Sequence, residues 1–388
     1  MFGLPRAVWL LGWVSLATDA ASESIYPLLP FFLTSVLGAG AVSLGVIEGA
    51  AEAVNSLLKI LSGRRADTSR SKRPLVLLGY SVSSLAKPFI ALATGPFQVF
   101  VVRILDRLGK GVRGAPRDAM LASWATRETR GKVYGVHQAM DNLGAVIGPA
   151  LATVFLIAYP GQYRTLFALT VIPGAISVLL IFLIPEKESV ERESVVSAFR
   201  RTNEVAASSD ALPSSFTRFM VILSIFSLGN STDAFLLLRL TEAAGSAKFV
   251  PLMWAGIHVV KAGVSFVSGS WSDRIGRRAV ISTGWIVYAI VYAGFAFSST
   301  LPALLTWFIL YGFYFGFAEG TEKALIADLA PAPRRGTAFG IYNAVTGLGG
   351  LAASIVFGVL WTMFGAPVAF GAGAALAFVA TALLFIAL

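Results

Sequence analysis

Long apolar stretches recur along almost the whole chain, and they restrict the fold more than any other feature. A helix needs about 20 mostly apolar residues to cross about 30 Å of hydrocarbon. By that measure the stretches fall near 7–33, 41–62, 74–94, 97–122, 133–157 and 165–185, then near 216–240, 248–268, 279–298, 302–328, 337–361 and 365–388. Between these two sets of six lies a polar, serine-rich segment, 186–215, which runs from Glu186-Lys187-Glu188 to Asp210 and Pro213 and reads as a linker. The expected product is an all-α integral membrane protein of twelve helices, divided into a first bundle (1–185), a linker (186–215) and a second bundle (216–388). Only 13% of the residues are charged, against about 25% in a soluble domain, so an ordinary soluble enzyme is excluded. With no cysteine there is no disulfide framework, thiolate metal site or cysteine nucleophile. The first stretch is read as a retained span, not a secretory leader, because Asp19 and Glu23 interrupt it and no small-residue cleavage site follows.

The net charge of +10 would point to nucleic acid if it lay on one face, but its distribution gives another reason. Clusters at Arg64-Arg65, Arg70 to Arg73, Arg127 to Lys132, Arg274 to Arg278 and Arg334-Arg335 all fall on one set of alternate loops, whereas the other set holds only Arg164 and Lys248. Basic residues accumulate on the cytoplasmic side of a membrane protein. Both termini are therefore expected in the cytoplasm of a multi-pass inner-membrane protein, and no nucleic-acid partner is expected.

The halves repeat each other. Gly63-Arg-Arg-Ala-Asp67 follows the second span as Gly269-Ser-Trp-Ser-Asp273 follows the eighth, and Arg130-Gly131-Lys-Val-Tyr-Gly135 corresponds to Arg335-Gly336-Thr-Ala-Phe-Gly340. Parallel six-span repeats place a substrate site at their interface near mid-membrane. The run Gly269-x-x-x-Asp273-Arg274-x-Gly276-Arg277-Arg278 resembles the loop signature of the major facilitator superfamily, and it fills every position. The first-half copy keeps Gly63 and Asp67 but has Thr68 where the arginine would stand. Gly144-x-x-x-Gly148-Pro149 resembles a motif of that superfamily's proton-coupled exporters, without the glycines that usually follow. The resemblance implies a secondary transporter working by alternating access, in which the loop signature, with Gly63, Asp67, Gly269, Asp273, Arg274 and Arg277, stabilises one end state. The bland alternatives are cytoplasmic anchoring for the loop and a packing notch for Gly144, Gly148 and Pro149.

Many ionisable residues fall inside the spans, where each costs about 2.5–3.5 kcal/mol at a helix centre unless it meets water or a partner. They sort onto single helix faces. Asp19, Glu23 and Tyr26 share one; Glu48, Glu52, Asn55 and Lys59 another; His137 and Asp141 a third; and Trp254, His258 and Lys261 a fourth. In the fourth span Arg103, Asp106, Arg107, Lys110, Arg113 and Arg117 lie within roughly 140° of the circumference at about 100° per residue. A hydrated polar cavity is the expected consequence. Asp19, Glu23, Glu48, Glu52 and Asp141 are candidates for carrying a proton, with Glu48 and Glu52 alternatively salt-bridged to Arg103 or Arg107. Tyr26, Asn55, Arg103, Arg107, His137, Asp233, Trp254, His258 and Lys261 are candidates for lining the substrate cavity.

The tenth span answers the basic residues Lys110, Arg113 and Arg117 of the fourth with Glu319 and Glu322. They are expected to pair across the seam as a gate, or else within one half, as Lys323 with Glu319. Two histidines without cysteine give no recognisable metal-ligand set, and no cofactor is expected. Asn230-Ser231-Thr232 fits a glycosylation pattern but lies inside the seventh span. No phosphate-binding loop is present, so ATP is not the expected drive, and no His-Glu-x-x-His or Gly-x-Ser-x-Gly constellation supports an intramembrane enzyme. A receptor would carry a larger soluble part than the longest loop here. The functional expectation is proton-coupled export of a small polar, charged or zwitterionic solute by a monomer, with symport or facilitated uptake as the alternative.

Overall fold

The computed structural model describes residues 4–68, 71–125, 130–185, 212–331 and 334–387, and among them it contains helices and no strand. In the first half α1 (Arg6–Ile25) continues through short helical turns over 26–36. It is followed by α2 (Ala41–Thr68), α3 (Arg73–Ala86, extended by a tighter turn Lys87–Leu92), α4 (Pro96–Ser123), α5 (Arg130–Ala158), α6 (Tyr163–Leu169) and α7 (Val171–Phe182). The second half has α8 (Ser214–Gly229), α9 (Ala234–Ala244), α10 (Val250–Ile275), α11 (Arg277–Phe297), α12 (Leu301–Leu329), α13 (Arg335–Phe364) and α14 (Ala366–Ala387). Proline in the first turn starts α3, α4, α10 and α12, where its missing N–H costs nothing. A single residue, Gly276 with φ 92°, separates α10 from α11, and only glycine turns back there without strain.

Nine segments of the described chain are long and apolar enough to cross a bilayer. The helices outside that set include α1, α4 and α10, of 20, 28 and 26 residues. Their length suffices at 1.5 Å per residue, but ionised side chains lower their hydropathy. The outer surface is studded with large apolar residues such as Leu92, Phe97, Leu151, Leu179 and Phe297, as a lipid-facing surface requires.

Within the first half α1 packs on α5 and α7, while α4 packs on α2 and α3. Within the second, α11 packs on α12 and α14, and α10 on α12. Two long contacts join the halves, α2 with α13 and α5 with α10. The first is close because α2 and α13 exchange glycines. A Cβ on Gly45 would stand 2.1 Å from the Ser354 carbonyl oxygen, and one on Gly358 would stand 2.7 Å from that of Ala41. Both lie toward the end away from the basic loops, so the halves are packed together there. Small residues allow such backbone approach, the usual means of holding helices together in lipid.

Candidate functional site

The polar run Asn230-Ser231-Thr232-Asp233 breaks the seventh span. Helix α8 ends at Gly229, Asn230 takes φ −98° and ψ 82°, and helix resumes at Ala234. Side chains hold the freed backbone. Tyr288 donates its hydroxyl to the Gly229 carbonyl at 2.8 Å, and the Thr232 N–H donates to Ser354 Oγ at 3.1 Å. Asn230 Nδ2 donates to Tyr314 at 3.1 Å, Ser231 meets Tyr292 at 3.3 Å, and Tyr311 donates to Asp233 Oδ1 at 2.8 Å. Non-helical backbone survives at this depth where it lines a cavity or is buried in protein. Here it does both.

Alongside the break runs a cavity of about 390 Å³, within the range that holds a small organic molecule. Glu23, Tyr26, Glu48, Glu52, Arg107 and Lys110 line it from the first half, and Asn230 to Asp233, Trp254, Lys261, Phe315 and Thr346 from the second. Its wall therefore carries both signs of charge. At one side the halves are latched: the Tyr26 and Trp254 rings lie 5.1 Å apart, and Trp254 Nε1 donates to Glu23 Oε2 at 2.7 Å. His258 Nε2 stands 3.9 Å from the same oxygen.

Behind the first-half wall is a buried ion network. Arg103 grips Glu48 with two bonds, 2.8 Å from Nε and 2.5 Å from a terminal nitrogen, and reaches Asp106 at 3.4 Å. Asp106 also accepts from Ser83 at 2.6 Å and pairs with Lys87 at 3.4 Å. Arg107 Nε also lies 4.0 Å from Asp106, so three cations surround two anions, and bidentate guanidinium–carboxylate geometry is the strong form of such a pair. Both oxygens of Glu48 are thereby engaged, which is the salt-bridged arrangement with Arg103 expected as its alternative, and Arg103 stands behind the wall of the main cavity. Glu52 is held differently, accepting from Asn55 Nδ2 at 2.9 Å.

The exporter-like glycines lie on the opposite side of the first half. Cβ atoms on Gly144 and Gly148 would stand 2.4 and 2.3 Å from the carbonyl oxygens of Leu16 and Ala20, so α5 lies directly on α1. This contact brings Asp141 to Ser15, which donates to it, and Asp19 lies one turn further along the same face of α1. Pro149 sits inside α5 without ending it.

Of the charges expected to meet across the seam, Glu319, Glu322 and Arg117 find partners within their own half in this conformation, whereas one buried guanidinium nitrogen of Arg113 has none among the described residues. Glu319 pairs with Lys261 at 2.9 Å and Lys323 at 3.3 Å. Buried Glu322 accepts from Trp285 Nε1 at 2.9 Å and Tyr342 at 3.0 Å. The Arg113 guanidinium lies 4.0 Å from the Tyr80 ring centroid, and Arg117 pairs with neighbouring Asp118 at 3.0 Å. Pairing within one half prevails because these partners sit on the same or adjacent helices.

Of the residues expected at the cavity, Tyr26, Arg107, Asp233, Trp254 and Lys261 line it. Buried Asn55 supports Glu52, and His258 stands behind Trp254. His137 is buried on α5, near Asp141. In the loop signature, the surroundings of Gly63 and Gly269 and the side chains of Asp67 and Asp273 lie outside what the structure describes, as do residues 186–211 of the expected linker 186–215. Arg274 is exposed, and Arg277 pairs with Asp328 at 3.3 Å. Sequence reasoning missed the tyrosines at 288 and 292 on α11 and at 311 and 314 on α12, although the four- and three-residue spacings mark one face on each helix. It also noted the run at 230–232 only as an unreachable glycosylation pattern.

A two-halved helical bundle with a doubly charged cavity at its centre defines a solute transporter embedded in a membrane. The chain belongs to the Major Facilitator Superfamily, whose sequence pattern it matches over residues 9–263 and 219–388. It is 32% identical to an uncharacterized MFS-type transporter of Methanocaldococcus jannaschii, across 92% of this chain and 89% of that one. It is 25% identical to the multidrug resistance protein MdtH of Salmonella newport, across 87% and 82%. Among solved structures, the nucleoside transporter NupG superposes with a TM-score of 0.77 at 13% identity, covering 98% of this chain and 99% of NupG, which establishes a shared fold.

Proposed function

We propose that this transporter exports a small polar, charged or zwitterionic solute from the cytoplasm in exchange for protons, with its basic loops and both termini on the cytoplasmic side. The observation that carries the reading is the packing of α5 on α1, where the glycines press on α1, Asp141 accepts from Ser15 and Asp19 follows one turn along the same face, which makes Asp19 and Asp141 a carboxyl pair. Two carboxyls in contact resist double ionisation, so a proton taken up or released there changes how α1 and α5 hold together. Helix α1 also carries Glu23, which latches Trp254 of the second half, so proton exchange at the pair is coupled to the seam between halves. The likeness to a multidrug resistance protein supports the outward direction. In the opposite state of the cycle, Lys110, Arg113 and Arg117 swing toward Glu319 and Glu322 and close the basic end.

Flux into or out of liposomes under an imposed pH gradient tests this, with solutes chosen by thermal-shift screening of metabolites and antibiotics. The gradient is expected to drive uphill movement against the proton flow, and collapsing it to abolish that movement. Asp19→Asn and Asp141→Asn are expected to lose gradient-driven flux and keep solute exchange at equal pH. Movement of solute with the protons would establish symport instead.

A further inference from the structure

A second compartment opens off the cavity into the second half, and its chemistry is different. It measures about 270 Å³ and shares Glu52, Asn230, Phe315 and Thr346 with the main cavity. Its deeper wall is aromatic, with Phe226, Tyr314, Phe315 and Tyr342, and it holds Glu319 and Glu322 but no lysine or arginine. Phe226 is stacked on Trp285 at 4.3 Å between centroids, so the wall is rigid.

Glu322 distinguishes this recess from an ordinary polar pocket. Its side chain is 95% buried, at 5% exposure. Both its oxygens accept from neutral donors, the Trp285 indole and the Tyr342 hydroxyl. The neighbouring Glu319 has two lysines and Glu48 has Arg103, but the hydrogen-bond partners of Glu322 carry no charge. A buried carboxylate needs a cation or a proton to offset its lost hydration. Aromatic faces next to it attract cations further.

We infer that this recess is the subsite for an organic cation, the ammonium or quaternary nitrogen of the solute, held by Glu322 and the faces of Phe226, Tyr314 and Tyr342. The basic wall of the main cavity, Arg107 and Lys110, takes an anionic group at the other end. The inference rests on the transport reading above and narrows it: the solute carries an amine-type cation, and dipolar solutes that also present an anion fit both compartments.

The test is equilibrium binding to the purified full-length protein at neutral pH, read by calorimetry. The probes are benzyltrimethylammonium, which cannot lose its charge, and phenylacetate, which has the ring and the opposite charge. Benzyltrimethylammonium is expected to bind the wild type, and Glu322→Gln is expected to weaken it about tenfold or more, a typical loss for one buried charge contact, with phenylacetate binding unchanged. Thr346→Lys, which tethers an ammonium at the mouth of the recess and keeps the carboxylate, is expected to exclude the cation equally and serves if Glu322→Gln does not fold. Undiminished cation binding in either variant would overturn the inference, as would equal loss of both probes. Cation binding absent from the wild type while phenylacetate binds would overturn it and leave the transport reading intact, whereas pH-driven flux is the measurement on which that reading itself depends.

Discussion

The two halves handle buried charge in opposite ways. In the first half, Glu48 and Asp106 are ion-paired with Arg103, Lys87 and Arg107 in a buried network. In the second, Asp233 and Glu322 are held by a tyrosine, a tryptophan and another tyrosine. Ion pairing fixes a helix packing, because moving one member strands the others. Neutral donors fix position without supplying a countercharge, so Asp233 and Glu322, unlike Glu319 with its two lysines, are left without an ion-pair partner among the described residues. The cavity thus lies between a first-half wall braced by ion pairs and a second-half wall whose Asp233 and Glu322 are held by neutral donors.

This contrast is broken most directly in the first-half network. Arg103→Met leaves Glu48 without its bidentate partner and is expected to destabilise the protein by about 3–5 kcal/mol. The double variant Arg103→Met with Glu48→Gln is expected to recover part of that loss, as measured by chemical unfolding in detergent. A full additive loss in the double variant would show that the pair is not a unit. In the second half, Tyr311→Phe removes one bond to a charged acceptor and is expected to cost about 1.5–3 kcal/mol, a smaller effect on the same assay. If it equals that of Arg103→Met, the distinction between the halves fails.

The α1–α5 contact sharpens the picture at similar cost. Gly148→Ala puts a methyl group 2.3 Å from the Ala20 carbonyl oxygen, and overpacking of that kind costs about 1–3 kcal/mol. The expected result is a lowered melting temperature together with weakened pH-driven flux, because Asp19 and Asp141 are forced apart. Flux at wild-type level in a folded Gly148→Ala protein would detach the carboxyl pair from coupling. The smallest effect belongs to the half-exposed pair Lys323–Glu319. Lys323→Ala is expected to change stability by less than about 1 kcal/mol, and a larger change by thermal unfolding would mean that this pair is part of the brace.

The membrane fold was legible in the sequence because a bilayer imposes length and hydropathy on every span. The repeat was legible because paired motifs recur half a chain apart. The wet helix faces were legible too: Glu23, Arg107, Lys110 and Lys261 all reach the cavity. Partners were not. Glu319 and Glu322 sit one turn apart, yet one meets lysines and the other an indole and a phenol, a choice made by rotamers and by helices α11 and α13 that periodicity does not order. Glu48 and Glu52 show the same limit. Their spacing marks two like carboxylates on one face, and only the three-dimensional arrangement assigns Arg103 to the first and Asn55 to the second. The break at 230–233 was hidden for another reason, since the apolar residues on both sides mask four polar ones in any span-length window.

The account depends on the two halves parting at the basic end in one state and closing it in another. The absence of cysteine permits spin labels at Asp118→Cys on α4 and Lys323→Cys on α12, both exposed at that end. Pulsed dipolar distances in lipid nanodiscs should then show two populations whose balance shifts with pH, the shorter distance marking approach of Arg113 and Arg117 to Glu319 and Glu322. A single distance that neither pH nor bound solute alters would contradict the account.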